Sequence, residues 1–240
     1  RTVTLSAGES SISETFTVAA IDAAESYDVT ISAPGYDDAT TGQYVAPGGS
    51  GTAAAGTLAA QDATLDVAAD LGVTAPEGGV DVTVDVGVPG GEGAQRAVAL
   101  SAGEDAIAET LTVPAIDAAD AYSVTVSAPG YADATASRSV APGASGSTDT
   151  GTLTGQDTTV SATADLGVTS PEGQTVTFEL LGPDGSTLRS ETASPERGSS
   201  TVSVDFGTVS ALDESDRYTV TVDASGYDTG GVTATTPGAP

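Results

Sequence analysis

The chain repeats itself, and the length of the repeat limits what it can fold into. Val3-Thr4-Leu5-Ser6-Ala7-Gly8-Glu9 returns as Val98-Ala99-Leu100-Ser101-Ala102-Gly103-Glu104, an offset of 98 − 3 = 95 residues. At the same offset Ser32-Ala33-Pro34-Gly35-Tyr36 returns at 127–131 and Val45-Ala46-Pro47-Gly48 at 140–143. So do Asp70-Leu71-Gly72-Val73-Thr74, at 165–169, and Pro76-Glu77-Gly78, at 171–173. A diverged third copy of the stretch 122–131 starts at Tyr218, an offset of 218 − 122 = 96. The chain thus holds about two and a half units. Solenoid repeats run to roughly 20–45 residues, whereas this unit is domain-sized. It predicts a series of globular beads.

Within a unit the apolar period is two. Val80, Val82, Val84, Val86 and Val88 alternate with Asp81, Thr83, Asp85 and Gly87, the mark of a half-buried strand. Val176, Phe178 and Leu180 alternate likewise, as do Tyr218, Val220 and Val222. Gly182-Pro183-Asp184-Gly185 between two such runs predicts a hairpin turn. Residues 19–26 and 115–121 are too short for a helix that matters and predict a turn with one helical twist. Residues 48–55 and 144–150 read as loops. The fold class expected is all-β: tandem Ig-like or transthyretin-like β-sandwich domains arranged as beads in a rod.

Tyr27-Asp28-Val29-Thr30-Ile31-Ser32-Ala33-Pro34-Gly35-Tyr36 and its two copies resemble the Y-x-V-x-V-x-A-x-G-Y strand of carboxypeptidase-regulatory-like and Cna B-type domains. The resemblance implies seven-stranded sandwiches, a fold frequent in the stalks of surface proteins. It also implies that a short strand, a V-x-x-G turn and a last strand follow. Val140-Ala141-Pro142-Gly143 and Gly151-Thr152-Leu153 match that order. Framed in this way, residues 63–157 make a complete sandwich, 1–62 lack the first strands, and 158–240 lack the last. Three explanations stand side by side: the chain continues on both sides, neighbouring copies fill the gaps by strand addition, or the frame is off by one strand. Arg1 falls mid-pattern with no leader before it, so a processed product or an excerpt is expected. Two family features are missing. Neither Lys nor Asn is present for an internal isopeptide bond, and the usual D-x-x-G-x-[YF] hairpin is absent. Metallocarboxypeptidase activity belongs to a separate domain in that family.

Composition removes most chemistry. There is no Cys, His, Lys, Asn, Met or Trp. Thiolate nucleophiles, imidazole bases and ligands, Schiff bases and Ser–Lys dyads are therefore excluded. Paired carboxylates, as in glycoside hydrolysis, are the chemistry that survives, and no pair stands out, so the chain is not expected to be an enzyme. A net charge of −28 repels nucleic acid and anionic headgroups, and no apolar run approaches a membrane span. A compact monomer of this mass exposes roughly 10,000 Å². The net charges then lie roughly 19 Å apart, about twice the Debye length in 0.1 M salt, so the charge permits a saline habitat without demanding one. Acids in place of Lys, with Ala, Gly, Thr and Val replacing large aliphatics, resemble haloarchaeal proteins.

The motif D-x-x-[DE]-x-Y recurs as Asp22/Glu25/Tyr27, Asp117/Asp120/Tyr122 and Asp213/Asp216/Tyr218. Its six carboxylates are candidate Ca²⁺ ligands, although calcium needs six to eight oxygens and each pair supplies only part of a shell. The simpler reading is a turn capped by the first Asp side chain. No other cofactor is implied. The Tyr is expected to set its ring in the core and bond its hydroxyl to backbone, in the manner of a tyrosine corner. N-glycosylation is excluded without Asn, and O-linked sugar remains open. Two functions follow. One is a structural component of an extracellular filament, stalk or surface layer of a halophilic microbe, with self as partner, head to tail. The other is a cell-surface adhesin that binds glycans or another surface protein, with Ca²⁺ as its candidate cofactor.

Overall fold

The computed structural model describes residues 1–6, 9–22, 25–169, 174–212, 216–228 and 230–234. Among them there is no helix, and the fold is all-β. The first strands in chain order are β1 (Tyr27–Ile31), β2 (Ala39–Gln43), β3 (Ala63–Asp70), β4 (Val80–Gly87), β5 (Ala94–Leu100) and β6 (Ala106–Val113). Next come β7 (Tyr122–Ser127), β8 (Tyr131–Ala132), β9 (Ala134–Arg138), β10 (Ser145–Thr152), β11 (Thr154–Gly155) and β12 (Thr158–Asp165). The last are β13 (Val176–Leu181), β14 (Thr187–Ala193), β15 (Thr201–Val209), β16 (Tyr218–Ala224) and β17 (Gly230–Ala234).

The middle of the chain is a sandwich of two sheets, ordered β10-β3-β6 and β5-β4-β7-β9. Every pairing in it is antiparallel except that of β10 with β3. The valine alternation does what it predicts. Val82, Val84 and Val86 are fully buried, and Asp81 and Asp85 point to solvent. They pack with Leu65, Leu71, Val113, Tyr122, Val124 and Leu153 in one core.

The C-terminal strands repeat the plan with the sheets β12-β15 and β14-β13-β16-β17 around a second core, which includes Val160, Val176, Phe178, Leu180, Phe206 and Tyr218. The expected hairpin joins β13 to β14, with Gly182 N–H donating to Ser186 O (2.8 Å) and Gly185 N–H to Gly182 O (2.9 Å). Near the N-terminus, β1 and β2 form a two-stranded sheet, and Val3, Leu5, Ile12, Phe16 and Val18 are exposed. The chain exposes 14053 Å² in all, against about 10,000 Å² for a compact body of its mass.

Residues 144–150, expected to be a loop, are mostly strand. β10 runs from Ser145 to Thr152 and pairs parallel with β3, Ser145 opposite Thr64 and Thr148 opposite Val67. Its sequence hides this, because at the sandwich edge only Gly146, Thr148 and Thr150 turn inward, and these are half-buried. Small polar residues satisfy such a position. The pairing with β3, together with Leu153 behind it, holds the strand in place.

Candidate functional site

The recurring motifs resolve into turns. In Leu5-Ser6-Ala7-Gly8-Glu9 and its copy, the amides of Ser6 and Ser101 each donate to the carboxylate of the Glu three residues on (2.7 Å). The Asp-x-Gly elements are Asx turns: Gly72 N–H donates to Asp70 Oδ1 (2.6 Å) and Gly167 N–H to Asp165 Oδ1 (2.9 Å). These bonds hold the Asp165 carboxyl below its ordinary value, Gly167 contributing first and Ser200 second. Asp184 is lowered in the same sense, by the hydroxyl and then the amide of Ser186.

The acidic motif is a backbone turn. Glu25 N–H donates to Asp22 O and Asp120 N–H to Asp117 O, both at 2.9 Å. The closing acceptor is thus a main-chain carbonyl and not the Asp side chain expected as a cap. The side chains of Asp22, Glu25, Asp117 and Asp120 face solvent and Asp216 is half-buried, while Asp213 lies outside the described residues. No group of three or more carboxylates arranged for a metal ion occurs among the described residues.

Two of the three motif tyrosines behave as corners, while Tyr27 is only half-buried. Tyr122 and Tyr218 are buried, and their hydroxyls donate to Pro114 O (2.8 Å) and Ser210 O (2.9 Å), eight residues back in each case. Burial pushes the Tyr122 phenol above its ordinary value of 10.0, and Asp62 adds to the effect. Burial does the same at Tyr218, with Asp157 adding and Arg189 opposing.

Arginines close one side of each sandwich, a role for which the sequence carried no signal. Arg96 on β5 pairs with Glu109 on β6 (2.7 Å). At the matching place Arg189 on β14 donates to the carbonyls of Phe206 and Thr208 on β15.

The opposite side of the two sandwiches differs. β3 has two neighbours, β6 and the parallel β10, whereas β12 has β15 alone among the described residues. Val67, Ala69 and Leu71 are buried, but their counterparts Ala162, Ala164 and Leu166, 95 residues on, are half-buried. Val73 packs against its core, while Val168 is 59% exposed. A Cβ placed on Gly72 would meet Thr152 Cγ2 at 2.5 Å and Leu153 O at 3.0 Å; one on Gly167 would meet nothing within 4 Å. Among the described residues the outer edge of β12 thus has no neighbouring strand, unlike that of β3. A shallow depression on the outer face of β10-β3-β6, lined by Asp66, Glu109 and Asp149 among others, is too flat to enclose a ligand.

No protein-family model matches the chain, and no curated protein matches it by sequence. Two solved structures are similar in part. The first is the Bacillus anthracis TIE protein, at 13% identity and a TM-score of 0.36, covering 74% of this chain and 31% of that one. The second is the shaft pilin SpaA of Lactobacillus rhamnosus GG, at 14% identity and a TM-score of 0.22, covering 74% and 95%. The chain thus spans about a third of the length of the TIE protein. Among the described residues no helix is long and apolar enough to cross a membrane.

Proposed function

We propose that the chain is a structural repeat protein of an extracellular filament, stalk or surface layer of a halophilic microbe, self-assembling head to tail by strand complementation. On this reading residues 63–157 are a complete bead, 1–62 a partial bead without its first strands, and 158–240 a bead without its last. The recurrence of one sandwich plan along the chain carries the reading, and the edge of β12, which among the described residues lacks the cover that β10 gives β3, supports it. An uncovered edge beside a half-exposed core is unstable alone in water and gains by pairing with another chain. The indel-free repeat of the sequence and the residue types it lacks support a bridging role over a catalytic one. The acidic composition supports the saline setting.

Electron microscopy and light scattering of the purified chain test this. Rods that lengthen with protein concentration are expected. They should be favoured at high salt, where the Debye length falls to about 3 Å at 1 M and copies of a chain at −28 repel less. Discrete monomers at every salt and protein concentration would overturn the proposal.

A further inference from the structure

We infer that two of the recurring turn motifs, Ser32-Ala33-Pro34-Gly35-Tyr36 and Val140-Ala141-Pro142-Gly143, are the two faces of one joint that fixes the angle between successive units. The joint lies within a single chain, so the inference goes beyond the self-assembly reading and is tested apart from it. The short link that leads into β3 is pinned to the unit before it. Tyr36 forms an antiparallel bridge with Ala60. Asp37 N–H donates to Ala59 O and Gln61 N–H to Gly35 O, both at 2.8 Å, and the side-chain amide of Gln61 donates to Asp37 Oδ1 (2.9 Å). The same link is pinned to the unit after it, where Gly143 N–H donates to Gln61 O (3.0 Å). Gln61 thus bonds both units.

Three observations carry it. The two motifs meet backbone to backbone: a Cβ on Gly35 would overlap the Pro142 carbonyl, and one on Gly143 would meet Gly35 Cα at 2.7 Å. Only glycine allows so close an approach. The pinning also recurs 95 residues on, where Thr154 pairs with Ala132, Gly155 with Tyr131, and Gln156 N–H donates to Gly130 O (2.7 Å). Here the link is pressed between two sandwiches. A Cβ on Gly155 would meet Ala211 Cβ of the C-terminal one at 2.7 Å and Val73 Cγ2 of the middle one at 3.4 Å, and Glu77 faces Arg217 across this second joint at 3.7 Å. The third observation is the shortness of the links. Units on a free linker move relative to one another by default. Only Gln61 and Asp62 separate the bridge at Ala60 from β3, and only Gln156 and Asp157 separate β11 from β12, which leaves little chain to turn on.

The chain has no cysteine, which allows a clean test. Thr40→Cys and Thr135→Cys, at equivalent exposed positions of β2 and β9, carry two spin labels in one full-length chain. Pulsed electron spin resonance, with the labelled chain diluted in unlabelled protein, then reads the distance within a chain. The parent should give a single narrow distance. Gly35→Ala and Gly143→Ala should each abolish it, leaving a broad or displaced distribution. Gly48→Ala should not. Gly48 has nearly the same left-handed φ as Gly143, 73° against 67°, but a Cβ there meets nothing within 4 Å, so the change imposes the turn strain without the collision. Asp37→Pro is an independent check that leaves the middle sandwich untouched. Asp37 is exposed, and the change removes its amide bond to Ala59 and its side-chain bond to Gln61 together, so the distance should broaden. A broad distance in the parent would overturn the joint, and so would equal broadening by Gly48→Ala and Gly143→Ala. A narrow distance kept by Asp37→Pro would overturn the pinning of the link. None of these outcomes depends on whether the chain polymerises.

Discussion

The middle and C-terminal sandwiches share one sequence plan, and among the described residues they differ in the cover beside their first strand: β3 has β6 and β10 as neighbours, β12 has β15 alone. Where β10 is present, Leu71 is fully buried and its amide donates to Asp105 O (2.7 Å). Beside β12, where no second neighbour is found among the described residues, Leu166 makes the equivalent bond to Ser200 O (2.8 Å), yet stays half-exposed. Local backbone bonding is thus the same in both. What changes is the cover over one side of the core. The tyrosine corner, the Asx turn and the arginine closure are present in both copies, so these features are set up locally and do not depend on the cover beside β3 or β12.

That comparison can be broken or sharpened in order of effect. Val84→Asp should cost about 3–5 kcal/mol by burying an unpaired charge, whereas Asp85→Ser, on the solvent face of the same strand, should change little. Chemical denaturation of both variants checks this, and equal losses would mean that β4 is buried on both faces. Leu71→Ala should cost about 2–5 kcal/mol, as expected for a cavity in a closed core. Its counterpart Leu166→Ala should cost clearly less in the monomer, and equal losses would remove the distinction between the two beads.

Tyr122→Phe and Tyr218→Phe should each cost about 1 kcal/mol for the lost hydroxyl–carbonyl bond, measured by the same denaturation. Because both phenols are raised above 10.0 in the folded chain, the stability linked to them is complete below pH 10 and is lost as pH rises toward their folded values. The wild type should therefore weaken in that alkaline window, and the double Phe variant should weaken less. Least of all, Asp165 and Asp184 are lowered below 3.8. Their contribution is present above that value and fades as pH falls through their folded values. Asp184→Asn should flatten the acid end of a thermal-melt series slightly, and a steeper acid end would contradict the assignment.

Much of this was legible in the sequence, and the reasons are specific. Val80 to Val86 alternate because one face of β4 meets the core, and period two exposes that directly. Tyr122 and Tyr218 were legible because a large aromatic before an apolar strand has few other places to go, whereas Tyr27 reaches only half-burial. β10 was not legible. Its inward positions are Gly and Thr, and what makes it a strand is a parallel partner some eighty residues earlier in the chain, which no local pattern reports. The acidic motif misled in detail, because a backbone carbonyl closes the turn that the Asp side chain was expected to cap. The roles of Arg96 and Arg189 depend on which strands end up facing each other across the sandwich, and that too lies outside local pattern.

The parallel pairing of β3 with β10 has a mechanical consequence. These are the first and last strands of the middle sandwich, lying side by side and pointing the same way. Tension applied at the two ends of the bead drags one strand lengthwise along the other, so the ladder is loaded in shear and its hydrogen bonds resist together. An antiparallel closure would let the same pull peel them apart singly. A pull along the bead would therefore meet more resistance from this parallel ladder than from an antiparallel one.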